Sequence, residues 1–122
     1  MPARTVLIVD DSESICNVLA FLLEKEGYQT YSAYDGERGV VMAREHHPDV
    51  ILLDIMMPEL DGWGVVRQLK GDPKTSDIPV LALTALRLTD EHIAAAGFDG
   101  YLSKPVSTHR LKEEIQRVAA PS

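Results

Sequence analysis

The sequence predicts a doubly wound α/β domain built on a parallel sheet, and two features predict it. Short, wholly apolar runs rich in β-branched residues recur along the chain. They are too short for helices and lack in–out alternation, as strands buried on both faces do. Each run is followed by a longer stretch with apolar residues at helical spacing, so strand and helix alternate five times. Strands joined through helices in this way lie parallel, with right-handed crossovers.

The first strand is Val6-Leu7-Ile8-Val9. Ser12 or Ser14 then caps a helix in which Ile15, Val18, Leu19 and Leu22 form one apolar stripe, with Cys16 at or near the core. Gly27 ends that helix. Gln29-Thr30-Tyr31-Ser32-Ala33 has the Thr and Tyr content of a more exposed strand. A second helix runs from Gly36 to His46 and is closed by Pro48. His46-His47 sits at its end, where a cation favours the helix dipole. Val50-Ile51-Leu52-Leu53 is the third strand, and a helix near Trp63 to Lys70 places Val66 and Leu69 on one side. Between them, Met56-Met57 reads as loop packing, and Trp63 is expected to be partly exposed near the strand ends. Val80-Leu81-Ala82-Leu83 is the fourth strand, and Thr89 or Asp90 caps a short helix ending at Gly97. Tyr101-Leu102-Ser103 is the shortest strand, and Leu111, Ile115 and Val118 define the last helix.

Composition narrows the function classes. The 122 residues suit one domain over 1–122, with a core at about 4–119 and no linker or low-complexity stretch to divide it. A formal charge of −7 argues against direct nucleic-acid binding and against a basic membrane-surface helix. A single cysteine rules out an internal disulfide or a CxxC site, and the four histidines have no zinc-ligand spacing. No run approaches a membrane span. The N-terminus leads through a short apolar run into Asp10-Asp11, unlike a signal peptide, so the chain is expected to be cytoplasmic.

The chemistry lies at the strand ends. The first strand leads into Asp10-Asp11, the third into Asp54, the fourth into Thr84 and the fifth into Lys104-Pro105. Strand C-termini of an open parallel sheet share one edge, where ligands bind. Three aspartates, a hydroxyl and an ammonium therefore converge. Two carboxylates about 4 Å apart repel by roughly 4 kcal/mol at an effective dielectric near 20. A divalent cation relieves that repulsion, and carboxylate ligands with open positions suit Mg²⁺. A carboxylate beside a metal, a lysine and a hydroxyl can accept a phosphoryl group. Taken singly, each of these residues also has a plain structural reading as a helix cap, strand end or surface side chain.

The sequence resembles the receiver domain of bacterial response regulators, the phosphoacceptor half of two-component signalling. The matching segments are Val6-Leu7-Ile8-Val9-Asp10-Asp11, Ile51-Leu52-Leu53-Asp54-Ile55-Met56-Met57-Pro58, Asp61-Gly62, Leu83-Thr84-Ala85 and Gly97-Phe98-Asp99-Gly100-Tyr101-Leu102-Ser103-Lys104-Pro105. The resemblance implies five strands in the flavodoxin-like order 2-1-3-4-5 with five helices. It implies that Asp54 is phosphorylated by a histidine kinase or a histidine phosphotransfer protein, and that Mg²⁺ (or Mn²⁺) is the cofactor. Asp11 and Asp54 would bind the metal directly, Asp10 through a water, and Met56 through its backbone carbonyl. Lys104 and Thr84 would contact the phosphoryl group, Ala85 would leave room for it, and Tyr101 would turn inward as Thr84 moves. Pro105 matches a cis proline that places the lysine. The readout would be a separate output protein or a fused output domain missing from this chain.

Two departures from the family pattern stand out. The interval from Thr84 to Lys104 is short around Leu86 to Ala95, a segment that commonly forms part of the output surface. Met56 offers no polar side chain to guide an attacking water, which implies slow or partner-dependent loss of phosphate. Other function classes fit less well. An aspartate-nucleophile phosphatase would carry an acid where Met56 stands, and a flavin module would place a phosphate where Asp10-Asp11 repels it. A docking module that is never phosphorylated would not need Lys104 and Thr84 around a carboxylate.

Overall fold

The computed structural model describes residues 4–57, 61–85 and 90–119. Five strands, β1 (Thr5–Val9), β2 (Gln29–Ala33), β3 (Val50–Asp54), β4 (Val80–Thr84) and β5 (Gly100–Ser103), form one sheet. Every pairing is parallel and the order is β2-β1-β3-β4-β5, as the resemblance implies. The helices are α1 (Glu13–Lys25), α2 (Gly36–His46), α3 (Gly62–Lys70), α4 (Asp90–Ala95) and α5 (Thr108–Ala119).

Successive strand residues point to opposite faces, and the core divides accordingly. Val6, Ile8, Val50, Leu52, Leu81 and Leu83 pack with Cys16, Leu19 and Leu23 of α1 and Leu111 and Ile115 of α5. Leu7, Val9, Ile51, Leu53, Val80 and Ala82 pack on the other face with Ala43 of α2, Val65, Val66 and Leu69 of α3, and Ile93 and Phe98 at α4. The uninterrupted apolar runs of β3 and β4 are buried at every position, while the more polar β2 lies at an edge.

Local signals set the helix ends. Ser12, not Ser14, caps α1, accepting a hydrogen bond from the Ile15 amide at 3.2 Å. Gly27 follows the helix at φ +94°, a conformation open to glycine and strained for other residues. Asp35 and Asp61 cap α2 and α3, their side chains accepting from the Arg38 and Gly64 amides. His47 closes α2 in the left-handed region and its Nε2 lies 3.1 Å from Asp77, while His46 stacks on Tyr31 at 4.3 Å. Asp90 is the first residue of α4 rather than its cap; Thr89 and Pro58 lie outside the described residues.

One expectation is corrected. The stripe Ile15, Val18, Leu19, Leu22 is not the face that α1 buries. Cys16, Leu19 and Leu23 are buried, Ile15 and Leu22 are half-buried, and Val18 is 57% exposed. Both stripes satisfy helical spacing, and the small Cys16 lets α1 lie close to the sheet, which selects the neighbouring stripe. Among the described residues no helix is long and apolar enough to cross a membrane.

Candidate functional site

The sheet register assembles the site. Val9 pairs with Leu53, so Asp10 leaves β1 beside Asp54 at the end of β3. Asp54 pairs with Leu83, which puts Thr84 one step beyond on β4. Thr84 pairs with Ser103, and the Lys104 amide donates to the Thr84 carbonyl at 2.9 Å. Strand order reverses between β1 and its neighbours, the position where open α/β sheets place their ligands.

Asp10 and Asp54 are 0% and 4% exposed, and each divides its two oxygens between backbone and lysine. Oδ1 of Asp10 accepts from the Ser12 amide at 2.9 Å, and Oδ1 of Asp54 accepts from the Met56 amide at 3.0 Å. Such bonds to the amide two residues on fix the side-chain direction. The Oδ2 atoms then face Lys104, whose Nζ lies 3.0 Å from Asp10 and 3.4 Å from Asp54. The exposed Asp11 completes a group whose three ligand oxygens lie within 4.8 Å of one another.

One ammonium cannot neutralise three carboxylates. Burial, reinforced by the charge of Asp10, pushes the Asp54 pKa up, against the Met56 amide and Lys104, which lower it. Burial pulls Lys104 down, but its hydrogen bond to Asp10 and the charges of Asp10 and Asp54 outweigh this and raise it. Cys16 underlies the cluster, its Sγ 3.5 Å from the Asp10 carbonyl. An all-oxygen, net-negative donor set of this kind fits a hard divalent cation such as Mg²⁺.

Of the other residues singled out in the sequence, Thr84 is buried at 1% exposure, and Ala85 after it is exposed. Tyr101 pairs with Ala82, two residues before Thr84, which puts Tyr101 and Thr84 on the same face of the sheet. Half-buried, Tyr101 lines a groove of about 430 Å³ with Ile93, Phe98, Arg110 and Glu114. The Lys104-Pro105 bond is cis. Met57 joins the core at 6% exposure, whereas Met56 is 62% exposed, so only one of the pair packs. Trp63 is half-buried and meets the Phe98 ring edge-on at 5.7 Å, which ties it to the α4 end of the molecule.

Two contributors were not legible in the sequence. A Cβ on Gly62 would come within 2.5 Å of Ile55 Cα and 2.6 Å of the Asp54 carbonyl oxygen, so only glycine lets α3 begin this close to the site. Asp99 accepts from Lys70 at 3.0 Å and from the Val80 amide at 2.8 Å, locking the start of β4 to α3. Asp61-Gly62 and Phe98-Asp99-Gly100 lie in matching segments, but spacing alone gives neither role.

The model of the response regulator receiver domain matches residues 6–116. The polar-differentiation response regulator DivK of Brucella ovis is 40% identical over 115 residues, covering 93% of this chain and 94% of that protein. The chemotaxis protein CheY4 of Vibrio cholerae superposes with a TM-score of 0.88 at 31% identity, covering 95% of this chain and 98% of that one. The receiver domain of the sensor histidine kinase PA1611 of Pseudomonas aeruginosa, solved with a magnesium ion coordinated in the active-site cleft, gives 0.88 at 29% identity, covering 98% and 99%.

Proposed function

The chain belongs to the response regulator receiver domain family, and from that premise we propose that Asp54 is its phosphoacceptor. The observation that carries this is the setting of Asp54: a buried carboxylate at the end of β3, held by the Met56 amide and facing Lys104 beside Asp10. Receiver domains of this kind are self-catalysing phosphoacceptors rather than classical enzymes. The donor is a phosphohistidine on a histidine kinase or histidine phosphotransfer protein.

In the transfer, an Asp54 oxygen attacks phosphorus in line, an O–P bond forms and the N–P bond to the donor imidazole breaks. The Met56 amide fixes the carboxylate's rotation, and burial keeps bulk water from competing with it. Lys104 sits where its ammonium can pair with a phosphoryl oxygen in place of a carboxylate. Thr84, at the adjoining strand end, supplies a hydroxyl to another oxygen, and the small Ala85 leaves the approach open. Asp10, Asp11, Asp54 and the Met56 carbonyl would hold Mg²⁺ (or Mn²⁺), which when bound supplies neutralising charge to carboxylates and phosphoryl oxygens. The magnesium seen in the PA1611 receiver domain supports this assignment. Movement of Thr84 toward the phosphoryl group frees space on the sheet face it shares with Tyr101, which turns inward and alters the groove beside α4 and α5. The output is a separate partner protein or a fused domain, and the chain acts as one domain in the cytoplasm.

Intact-protein mass after incubation with acetyl phosphate tests the reading. A single base-labile phosphoryl adduct is expected with Mg²⁺, none without it and none in Asp54→Asn. No adduct on a folded protein that still binds Mg²⁺ would overturn it and favour a docking module.

A further inference from the structure

We propose that Met56 is a site of reversible oxidation whose state sets how long a phosphoryl group survives on Asp54; the effect on lifetime rests on the phosphoacceptor reading above. The chain has four methionines and one cysteine. Among the described residues, Met57 is 6% exposed, Met42 is half-buried and Met56 stands 62% exposed. The cysteine does not compete. Cys16 is fully buried, out of reach of a peroxide in solvent. The accessible sulfur of the described chain is thus the one whose own amide donates to the Asp54 carboxylate, at 3.0 Å.

The oxidant is a hydroperoxide. The Met56 sulfur attacks its distal oxygen, an S–O bond forms and the O–O bond breaks. Sulfur loses two electrons, and the peroxide leaves as an alcohol or water after taking up a proton. The product is a polar sulfoxide with a strong acceptor oxygen where an apolar thioether had been. Three rotatable bonds let that oxygen reach the solvent side of the carboxylate. There it accepts a hydrogen bond from an approaching water and orients it toward phosphorus. Attack forms a new P–O bond and breaks the bond to Asp54, releasing inorganic phosphate with the proton and restoring the carboxylate. Reduction of the sulfoxide by a methionine sulfoxide reductase reverses the change.

The folded protein would be treated with dilute hydrogen peroxide, mapped by peptide mass, phosphorylated with acetyl phosphate and followed by intact mass as the adduct decays. The expected result is one added oxygen on Met56 well before Met57 or Met42. The adduct lifetime should shorten roughly fivefold, the rate equivalent of one net hydrogen bond. Reductase should restore the original lifetime. Met56→Leu, measured against its own untreated baseline, should show no change on peroxide treatment. Oxidation of Met57 at the same rate as Met56 would overturn the site. An unchanged lifetime in oxidised protein, or an equal change in Met56→Leu, would overturn its effect. An untreated chain that takes up no phosphoryl group would instead overturn the phosphoacceptor reading and the lifetime effect with it, the peptide masses still deciding which sulfur is oxidised.

Discussion

Lys104 is the residue on which the acidic site balances. Its ammonium is the cation that pairs with both buried aspartates, at 3.0 and 3.4 Å, and the gains from those pairs outweigh the cost of its partial burial. Lys104→Met would leave Asp10 and Asp54 facing each other, and removing one partner from a buried ionic group costs about 3 kcal/mol. Asp54 sets the sign of the pH dependence. Its pKa is raised in the folded chain, so the neutral form favours folding and the contribution is lost as pH rises through the folded value. Without the lysine that value rises further. Urea unfolding of Lys104→Met should therefore show a larger deficit against the wild type at pH 8 than at pH 5. An equal deficit at both would mean that the lysine acts by packing alone.

At the scale of elements, two helix contacts decide how the site is held. α1 presents Cys16, Leu19 and Leu23 to the sheet and leaves Val18 outward. Leu19→Ala should cost about 2–4 kcal/mol, while Val18→Ser should change stability by less than about 0.5 kcal/mol. Denaturant midpoints would check the pair, and similar losses would restore the stripe expected from spacing. α3 begins against the end of β3, with no room for a Cβ at Gly62. Gly62→Ala should lose about 2 kcal/mol or more, because backbone atoms rather than a flexible side chain must give way. Asp61→Ala, which removes only the cap, should lose about 1 kcal/mol. Thermal unfolding of the two variants separates close approach from capping.

For the whole molecule, the parallel sheet turns distant residues into neighbours: Lys104 bonds to Asp10 across 94 positions of sequence. Any ligand of the assembled site binds the folded chain and not the unfolded one, so it stabilises by mass action. Millimolar Mg²⁺ should raise the melting temperature of the wild type, by about 2.7 kcal/mol of stability at a hundredfold excess over Kd. The gain should shrink sharply in Asp54→Asn, and calorimetry with and without a chelator reads both. An equal gain in the two proteins would place the metal elsewhere.

The sequence by itself determined the strand and helix order, the parallel class of the sheet and the strand ends at which Asp10, Asp54, Thr84 and Lys104 come together. Apolar runs and helical spacing are local patterns, and Asp10, Asp54, Thr84 and Lys104 each stand where such a run ends. The shared edge of a parallel sheet does the rest. Other features were set by contacts that no local pattern encodes. Which stripe of α1 faces inward depended on how closely the helix could approach the sheet. That Met57 packs while Met56 faces solvent depended on the turn leaving β3. The division of each buried carboxylate between an amide and Lys104, the tight seat of Gly62 and the clasp of Asp99 on Val80 all join segments distant in sequence or meeting only at a turn. Spacing along the chain is one-dimensional, whereas these contacts exist only once the sheet has closed the distances between its strands.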